Sequence, residues 1–212
     1  NIHIRHWCYM VVAVTGHSGF IGKHLCKAIK DKGWTLIKID KDYTPIQCDR
    51  IYHLACPSST KAINDNPIKI INTIIDGTKL ASNICKKAHF VNISSLGAED
   101  TLINNQQGCY NTAKRLMELY LHHSNGISGT NYRLPSIYGD GMSDDSFIKR
   151  CMDGTAYKPT TPNKLHYIMQ VNKLVQSIIE LEPLEVEEIT LGDIYEHFNS
   201  GRRGLHRPAP IT

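Results

Sequence analysis

Residues 11–22 read VVAVTGHSGFIG, a β-branched run followed by three glycines that are spaced three residues apart. Val11–Thr15 predicts a short buried strand, because β-branched residues favour strands. Beyond residue 20, apolar residues recur at the spacing of a helix as far as residue 32. The glycines Gly16, Gly19 and Gly22 therefore lie between a strand and a helix, the context in which such spacing is informative.

Glycine has a specific use at each of these three positions. The first permits a tight turn, the second lets the backbone approach a pyrophosphate, and the third lets the helix pack closely. The N–H groups at the start of the helix then face the phosphates. A βα turn without a ligand is the alternative. The stretch predicts a dinucleotide-binding turn made of Gly16, His17, Ser18, Gly19, Phe20, Ile21 and Gly22.

Asp40 follows the predicted strand 34–39, at the distance from the glycines where a dinucleotide site carries an acid. Its carboxylate can accept hydrogen bonds from the adenosine ribose hydroxyls and would repel a 2′-phosphate, which favours NAD over NADP. Lys38 and Lys41 flank it and weaken that preference. The alternative is a simple turn residue at the end of a strand.

Along the rest of the chain, segments with the pattern of a strand alternate with segments that have the apolar spacing of a helix. Alternating strands and helices predict an α/β fold with a doubly wound, mostly parallel Rossmann sheet. We expect residues 1–9 to be a leader, 10–134 the NAD-binding domain, and 135–212 a reduced, loop-rich substrate-binding region with one helix near 171–181. The further strands are predicted at 51–55, 90–93 and 130–134, and the long helices at 68–87 and 110–122.

Composition limits the class of protein. Of 212 residues, 41% are hydrophobic and 21% charged, as in a soluble globular protein. No apolar run approaches the roughly 20 residues that cross a bilayer, and seven cysteines without a Cys-x-x-Cys pair are typical of a reducing compartment. These features predict a cytoplasmic protein without a membrane partner. The net charge of +4 is spread along the chain, so no nucleic-acid partner is expected.

Tyr110 and Lys114 are four residues apart and should lie one turn apart on one helix face. A nearby ammonium favours the phenolate, so we expect Lys114 to lower the pKa of Tyr110 toward that of a usable base. Ser95 ends a predicted strand and can donate a hydrogen bond to the same substrate oxygen. These three residues are the catalytic candidates.

With these motifs the chain resembles the extended short-chain dehydrogenase/reductase family, in particular its NAD-dependent nucleotide-sugar epimerase and dehydratase group, in a short form. The matching segments run in family order across roughly residues 11–180. They are Thr15–Gly22, His53-Leu54-Ala55, Asn66-Pro67 leading to Gly77-Thr78, Val91–Ser95, Tyr110-x-x-x-Lys114 and Arg133–Gly139.

The resemblance implies a role for each of the three catalytic candidates. Tyr110 would be the acid/base, Lys114 would contact the nicotinamide ribose and tune Tyr110, and Ser95 would orient the sugar. It implies hydride transfer from a sugar carbon to NAD and back, through a transient keto-sugar. It also implies a homodimer formed by the two long helices. The cofactor contacts implied besides the glycine turn and Asp40 are Leu54, Ala55, Tyr110, Lys114 and Pro135.

Two of the departures from the family pattern bear on the cofactor site and on the reaction. Nine positions from Asp40 to Asp49 leave no room for the usual strand and helix after strand 2. Leu96 and Gly97 follow Ser95, where dehydratases carry an acidic pair and decarboxylases a nearby glutamate. The predicted function is therefore an NAD-dependent epimerase of a nucleotide-diphosphate sugar. The alternatives are an NAD(P)H-dependent reductase of a keto-sugar and a non-catalytic dinucleotide-binding protein.

Two further groups of residues have weaker support. Arg202 and Arg203 could bind the substrate diphosphate through guanidinium donors, and a solvated basic tail is the equal alternative. His122-His123 has no third ligand at a suitable spacing, so no metal site is predicted.

Overall fold

The computed structural model describes residues 9–40, 44–84, 86–100, 106–124 and 126–199. Five parallel strands form the central sheet: β1 (Val11–Thr15), β2 (Thr35–Ile39), β3 (Arg50–His53), β4 (His89–Ser95) and β5 (Gly129–Leu134). Their spatial order is β2-β1-β3-β4-β5. The doubly wound parallel α/β fold predicted from the sequence is confirmed.

Helices cover both faces of this sheet. The helices are α1 (Phe20–Asp31), α2 (Thr60–Asp65), α3 (Pro67–Ile84), α4 (Gln106–His123), α5 (Phe147–Met152), α6 (Val171–Glu180) and α7 (Leu191–Asn199), with a 3-10 turn at Leu96–Glu99. Val12 and Val14 pack with α1 and α6 on one face, while Ala13 packs with α3 and α4 on the other. The period of two along β1 thus supplies both layers of the core. No helix in the described ranges is long and apolar enough to cross a bilayer.

The order in which strands are added to the sheet reverses at β1. The chain moves from β1 to β2 on one side, and then returns to place β3 on the other side of β1. Ligands of open α/β sheets bind in the crevice at such a switch point, outside the carboxyl ends of the strands. Residue 40 and residues 44–49 form neither strand nor helix, so β2 is the edge of the described sheet. This agrees with the predicted loss of a strand and helix after strand 2.

The region after Pro135 is more regular than the sequence predicted. A second sheet contains β6 (Ser136–Tyr138), β7 (Leu165–Gln170) and β8 (Glu187–Thr190), with β6 parallel and β8 antiparallel to β7. Helices α5 and α7 pack with this sheet around a small core of their own. The expectation of loops with one helix was wrong here, because the three-residue β6 acquires its partner about 30 residues later in the chain.

A buried carboxylate connects α4 to the last two strands of the central sheet. Glu118 on α4 accepts hydrogen bonds from Ser94 Oγ at 2.5 Å and from Arg133 Nη2 at 2.7 Å. Arg133 also pairs with Glu99 of the 3-10 turn. Desolvation opposes the charge on Glu118, but the hydrogen bonds from Arg133 and Ser94 outweigh it and lower the pKa of this carboxyl. The network fixes α4, which carries Tyr110 and Lys114, against the end of β4.

Candidate active site

A cleft of about 880 Å³ opens at the carboxyl ends of the central strands, between the central sheet and the second sheet. This is the switch-point position at which a doubly wound sheet binds its ligands. The structure brings most of the predicted site residues to its walls. Those lining it are Gly16, Gly19, Phe20, Ile21, Gly22, Leu54, Ser95, Tyr110, Lys114 and Pro135.

The glycine turn has the shape of a phosphate cradle. Gly16 has a φ of +68°, and a Cβ there would lie 2.7 Å from the Ala55 nitrogen. A Cβ on Gly22 would overlap the Gly16 carbonyl oxygen. Gly19 is the N-cap of α1, and no side chain caps this end of the helix. The N–H groups of the first turn therefore have no side-chain partner and point toward the cleft. The geometry at Gly16 and Gly22 thus requires glycine for the tight turn and the close packing of α1, and the start of α1 has the form of a pyrophosphate site.

Asp40 lies beside the glycine turn, at the end of β2. Its side chain is 81% exposed, and one oxygen lies 2.9 Å from His17 Nε2. His17 itself is almost buried. The pair connects the phosphate turn to the strand end that would carry the adenosine ribose, and leaves the second carboxylate oxygen toward solvent. Four predicted cofactor contacts are not among the residues that line the cleft. They are His17, Ser18, Asp40 and Ala55.

Ser95 and Lys114 are oriented by backbone groups of neighbouring elements. The Ser95 hydroxyl oxygen accepts a hydrogen bond from Gly97 N at 3.2 Å, so its own proton remains available to a ligand. Lys114 is buried and donates to the Ile93 carbonyl oxygen at 2.8 Å, with its ammonium 5.7 Å from the centre of the Tyr110 ring. The three catalytic candidates therefore share one wall of the cleft.

The expected direction of the Tyr110 pKa was wrong. Burial raises the pKa of the Tyr110 phenol, and the Lys114 ammonium offsets this only in part. The physical reason is that burial removes more hydration energy from the phenolate than its attraction to the Lys114 ammonium restores. Tyr110 therefore holds its proton at neutral pH, which suits the half of an acid/base cycle in which a proton is donated.

Several residues that line the cleft were not predicted as site residues, and three of them have polar side-chain neighbours there. Cys56 follows the Leu54-Ala55 segment, and its sulfur lies 3.8 Å from His53 Nε2. Ser136 Oγ and His166 Nε2 are 2.8 Å apart across β6 and β7. Cys56 could have been found from the sequence, because it directly follows a predicted cofactor segment. No sequence pattern links positions 136 and 166.

Two adjacent basic residues of α5 differ in their surroundings. Arg150 of α5 lines the cleft, while its neighbour Lys149 is paired with Asp153. Arg202 and Arg203, the predicted diphosphate contacts, lie outside the described residues.

The fold and the cleft together define a dinucleotide-binding α/β protein. The model of the NAD dependent epimerase/dehydratase family matches residues 12–158, and the chain belongs to that family, whose cofactor is NAD. Among curated relatives, UDP-glucuronic acid decarboxylase 3 of Arabidopsis thaliana is 26% identical over 81% of this chain and 66% of its own length. The chain thus spans about two thirds of that relative.

Solved structures show the same fold. UDP-N-acetylglucosamine 4-epimerase from Methanobrevibacter ruminantium aligns with a TM-score of 0.73 at 19% identity, over 88% of this chain and 80% of that one. MoeE5 in complex with UDP-glucose and NAD aligns with a TM-score of 0.70 at 17% identity, over 90% of this chain and 81% of that one. At these identities the likeness concerns the fold.

Proposed function

We propose that the protein is an NAD-dependent epimerase of a nucleotide-diphosphate sugar. The observation that carries the proposal is the shared cleft, in which Ser95, Tyr110 and Lys114 face the glycine turn. When bound, NAD supplies the hydride acceptor and donor. The glycine turn would hold its pyrophosphate, Asp40 its adenosine ribose, and Lys114 its nicotinamide ribose.

The side chains then have separate tasks on the sugar. Tyr110 exchanges a proton with the sugar oxygen as the carbon beneath it passes through the keto form. Ser95 donates its free proton to the same oxygen and orients it. Arg150 and the Ser136–His166 pair lie on the opposite wall, where guanidinium and imidazole donors suit the diphosphate and the sugar. Arg150 is therefore our proposed phosphate contact, and Arg202 and Arg203 are further candidates.

Decarboxylation is the second candidate, because the curated relatives include UDP-glucuronic acid decarboxylases. The residues after Ser95 argue against it. Position 97, where an acid would be needed, is glycine, and even a Cβ there would lie 2.5 Å from Asn111 Oδ1. The next acid along the chain, Glu99, is paired with Arg133. Asp145 also lines the cleft, but it belongs to the loop before α5 and not to the segment after Ser95, so epimerisation is the reaction that these residues support better.

The stoichiometry of the cofactor tests the proposal. An epimerase needs only catalytic NAD and shows no net change in absorbance of reduced cofactor while the sugar epimer accumulates. A reductase of a keto-sugar would consume NADH one for one, and a non-catalytic protein would bind NAD with no conversion. Either of the last two results contradicts the proposal. Mass spectrometry of the molecules that co-purify with the protein would identify the nucleotide and sugar.

Asp40→Ala is expected to weaken NAD binding by about tenfold, the value of one exposed hydrogen bond to a charged group. NADP binding should fall less, because the variant also removes repulsion of the 2′-phosphate. A fluorescence titration with both cofactors measures the two affinities. Asp31→Ala, an exposed acid at the far end of α1, is the matched control. A larger loss for NADP than for NAD would overturn the placement of Asp40.

A homodimer through α3 and α4 completes the proposal. These adjacent helices carry exposed apolar side chains, among them Leu80 at 47% and Leu116 at 44% exposure. Burying such a patch against its symmetry mate would remove it from water. We expect the mass of two chains in sedimentation velocity, and the mass of one for Leu80→Asp/Leu116→Asp. Leu165→Asp, an equally exposed leucine on β7, should remain dimeric. A monomeric wild type would contradict this part.

A further inference from the structure

Two side chains of opposite charge, on the side of the cleft that the second sheet forms, have no ion-pair partner among the described residues. Asp145 lies in the loop between β6 and α5, and Arg150 lies in α5. Both residues are exposed and line the cleft. Within the ranges that the structure describes, the Asp145 carboxylate and the Arg150 guanidinium also make no hydrogen bond. Both charges are therefore available to a ligand.

Asp145 lies toward the wall that carries Tyr110 and away from the strand that Asp40 follows. Lys61 of α2 also lines the cleft, and α2 packs on α4, the helix of Tyr110. The hydrogen bond to Asp65 and the charge of that carboxylate raise the pKa of the Lys61 ammonium, and the charge of Asp145 adds to this. β6 begins two residues after β5 ends, and β5 and β2 are opposite edges of the sheet. Asp145 therefore faces the proposed place of the sugar.

Each lysine or arginine that lines the described cleft has another partner or another proposed task. Lys61 donates to Asp65 Oδ2 at 2.6 Å. Lys114 is buried, donates to the Ile93 carbonyl oxygen at 2.8 Å, and is our proposed contact to the nicotinamide ribose. Arg150 is our proposed contact to the diphosphate. Among the described residues, these side chains thus leave no cation to neutralise an acidic sugar.

His166, on the same wall as Asp145, supplies no positive charge at neutral pH. Its Nε2 lies 2.8 Å from Ser136 Oγ. Burial lowers the pKa of the His166 imidazolium, and the charge of Lys164 lowers it further. The neutral ring can exchange hydrogen bonds with hydroxyl groups. On this wall, as far as the structure describes it, Asp145 is therefore the one charged group that the diphosphate does not use.

We propose that Asp145 is a specificity-determining residue, which selects a nucleotide-diphosphate sugar whose sugar is uncharged over one whose sugar is a uronic acid. The inference rests on the proposed function, because it concerns the sugar in the same cleft. A carboxylate accepts hydrogen bonds from the hydroxyl groups of a sugar. The carboxylate of a uronic acid instead brings a like charge into the cleft, where partial exclusion of water strengthens the repulsion.

Pairs of ligands that differ only at the last carbon of the sugar test this preference. UDP-glucose is compared with UDP-glucuronic acid, and GDP-mannose with GDP-mannuronic acid, by isothermal titration of the full chain in the presence of NAD at neutral pH and physiological ionic strength. We expect the uncharged member of a pair to bind about tenfold more tightly. Equal binding, tighter binding of the uronic acid, or no binding of any of the four ligands would overturn the proposal.

Asp145→Asn removes the charge and keeps the size of the side chain. The affinity for the uronic acid should rise by about tenfold, and that for the uncharged sugar should change by less than about threefold, because the amide still bonds to hydroxyl groups. Asp144→Asn, an exposed neighbouring acid that does not line the cleft, is the matched control and should leave the ratio of the two affinities unchanged. An equal shift in both variants would show a general effect of charge and contradict the role of Asp145.

UDP without a sugar shows whether Asp145 faces the sugar or the diphosphate. Wild type and Asp145→Asn should bind UDP within about twofold of each other, because an exposed charge acts over a short range at physiological ionic strength. A gain for UDP as large as the gain for UDP-glucuronic acid would overturn the proposal. None of these measurements involves turnover. A protein that prefers the uncharged sugar but forms no epimer would contradict only the epimerase proposal, whereas epimerisation without this preference would contradict only the role of Asp145.

Discussion

Tyr110→Phe is expected to lower kcat by about a thousandfold, within the range that general acid–base catalysis contributes. The variant removes only the hydroxyl that exchanges the proton, and the ring that lies beside Lys114 remains. NAD affinity should therefore stay nearly unchanged. The measurements are steady-state rates on a panel of UDP-sugars and a binding titration with NAD.

Tyr120→Phe is the matched control for that prediction. Tyr120 lies on the same helix, but its hydroxyl contacts Ser82 of α3 at 3.3 Å and does not line the cleft. Removing the Tyr120 hydroxyl should leave kcat nearly unchanged. Equal rates for wild type and Tyr110→Phe would reject the assignment of Tyr110. Equal loss in both variants would show a structural effect of helix α4 instead.

Gly19→Ala is expected to abolish measurable NAD binding at micromolar cofactor while leaving the fold intact. Gly19 has a φ of −73°, which alanine adopts freely, and its new Cβ would meet nothing nearer than the Gly16 carbonyl oxygen at 3.3 Å. That methyl group would instead occupy the place where backbone must approach a pyrophosphate. Isothermal titration measures the loss, and circular dichroism reports on the fold.

Gly77→Ala separates the ligand effect from the general effect of a new methyl group. Gly77 is in α3, a Cβ there would find its nearest neighbour at 3.8 Å, and the residue does not line the cleft. Alanine should stabilise the helix by about 1 kcal/mol and leave NAD affinity as it was. Full NAD binding by a folded Gly19→Ala protein would refute the phosphate-binding role of the turn.

The elements that the sequence predicted well are those set by short-range patterns. The β-branched run before Gly16 and the helical spacing after it lie within a few residues of one another, and β1 and α1 form there. The short connection after Asp40 likewise predicted the loss of a unit there, and β2 is the edge strand among the residues that the structure describes. Ser95, Tyr110 and Lys114 meet in the cleft because Ser95 ends β4 and the other two lie in the first half of α4, the helix that follows β4 at the same edge of the sheet.

The features that escaped prediction depend on contacts between distant residues. β6 is too short to be recognised without β7, and Ser136 meets His166 only when the two strands pair. The pKa of Tyr110 depends on burial, which its immediate neighbours in sequence do not reveal. Cys56 and Lys114 are far apart in the sequence, and only the packing of the segment after β3 beside α4 brings both to the cleft.

In the proposed reaction, a hydride leaves the sugar and returns to it within one bound complex. Ring-deuterated UDP-glucose and UDP-N-acetylglucosamine, incubated with the protein and catalytic NAD, would be followed by NMR and mass spectrometry, alongside UDP-glucuronic acid. We expect a sugar epimer that retains all of its deuterium, with no net formation of reduced cofactor and no release of carbon dioxide. Release of carbon dioxide from UDP-glucuronic acid without any epimer, or an epimer that has lost deuterium, would contradict it.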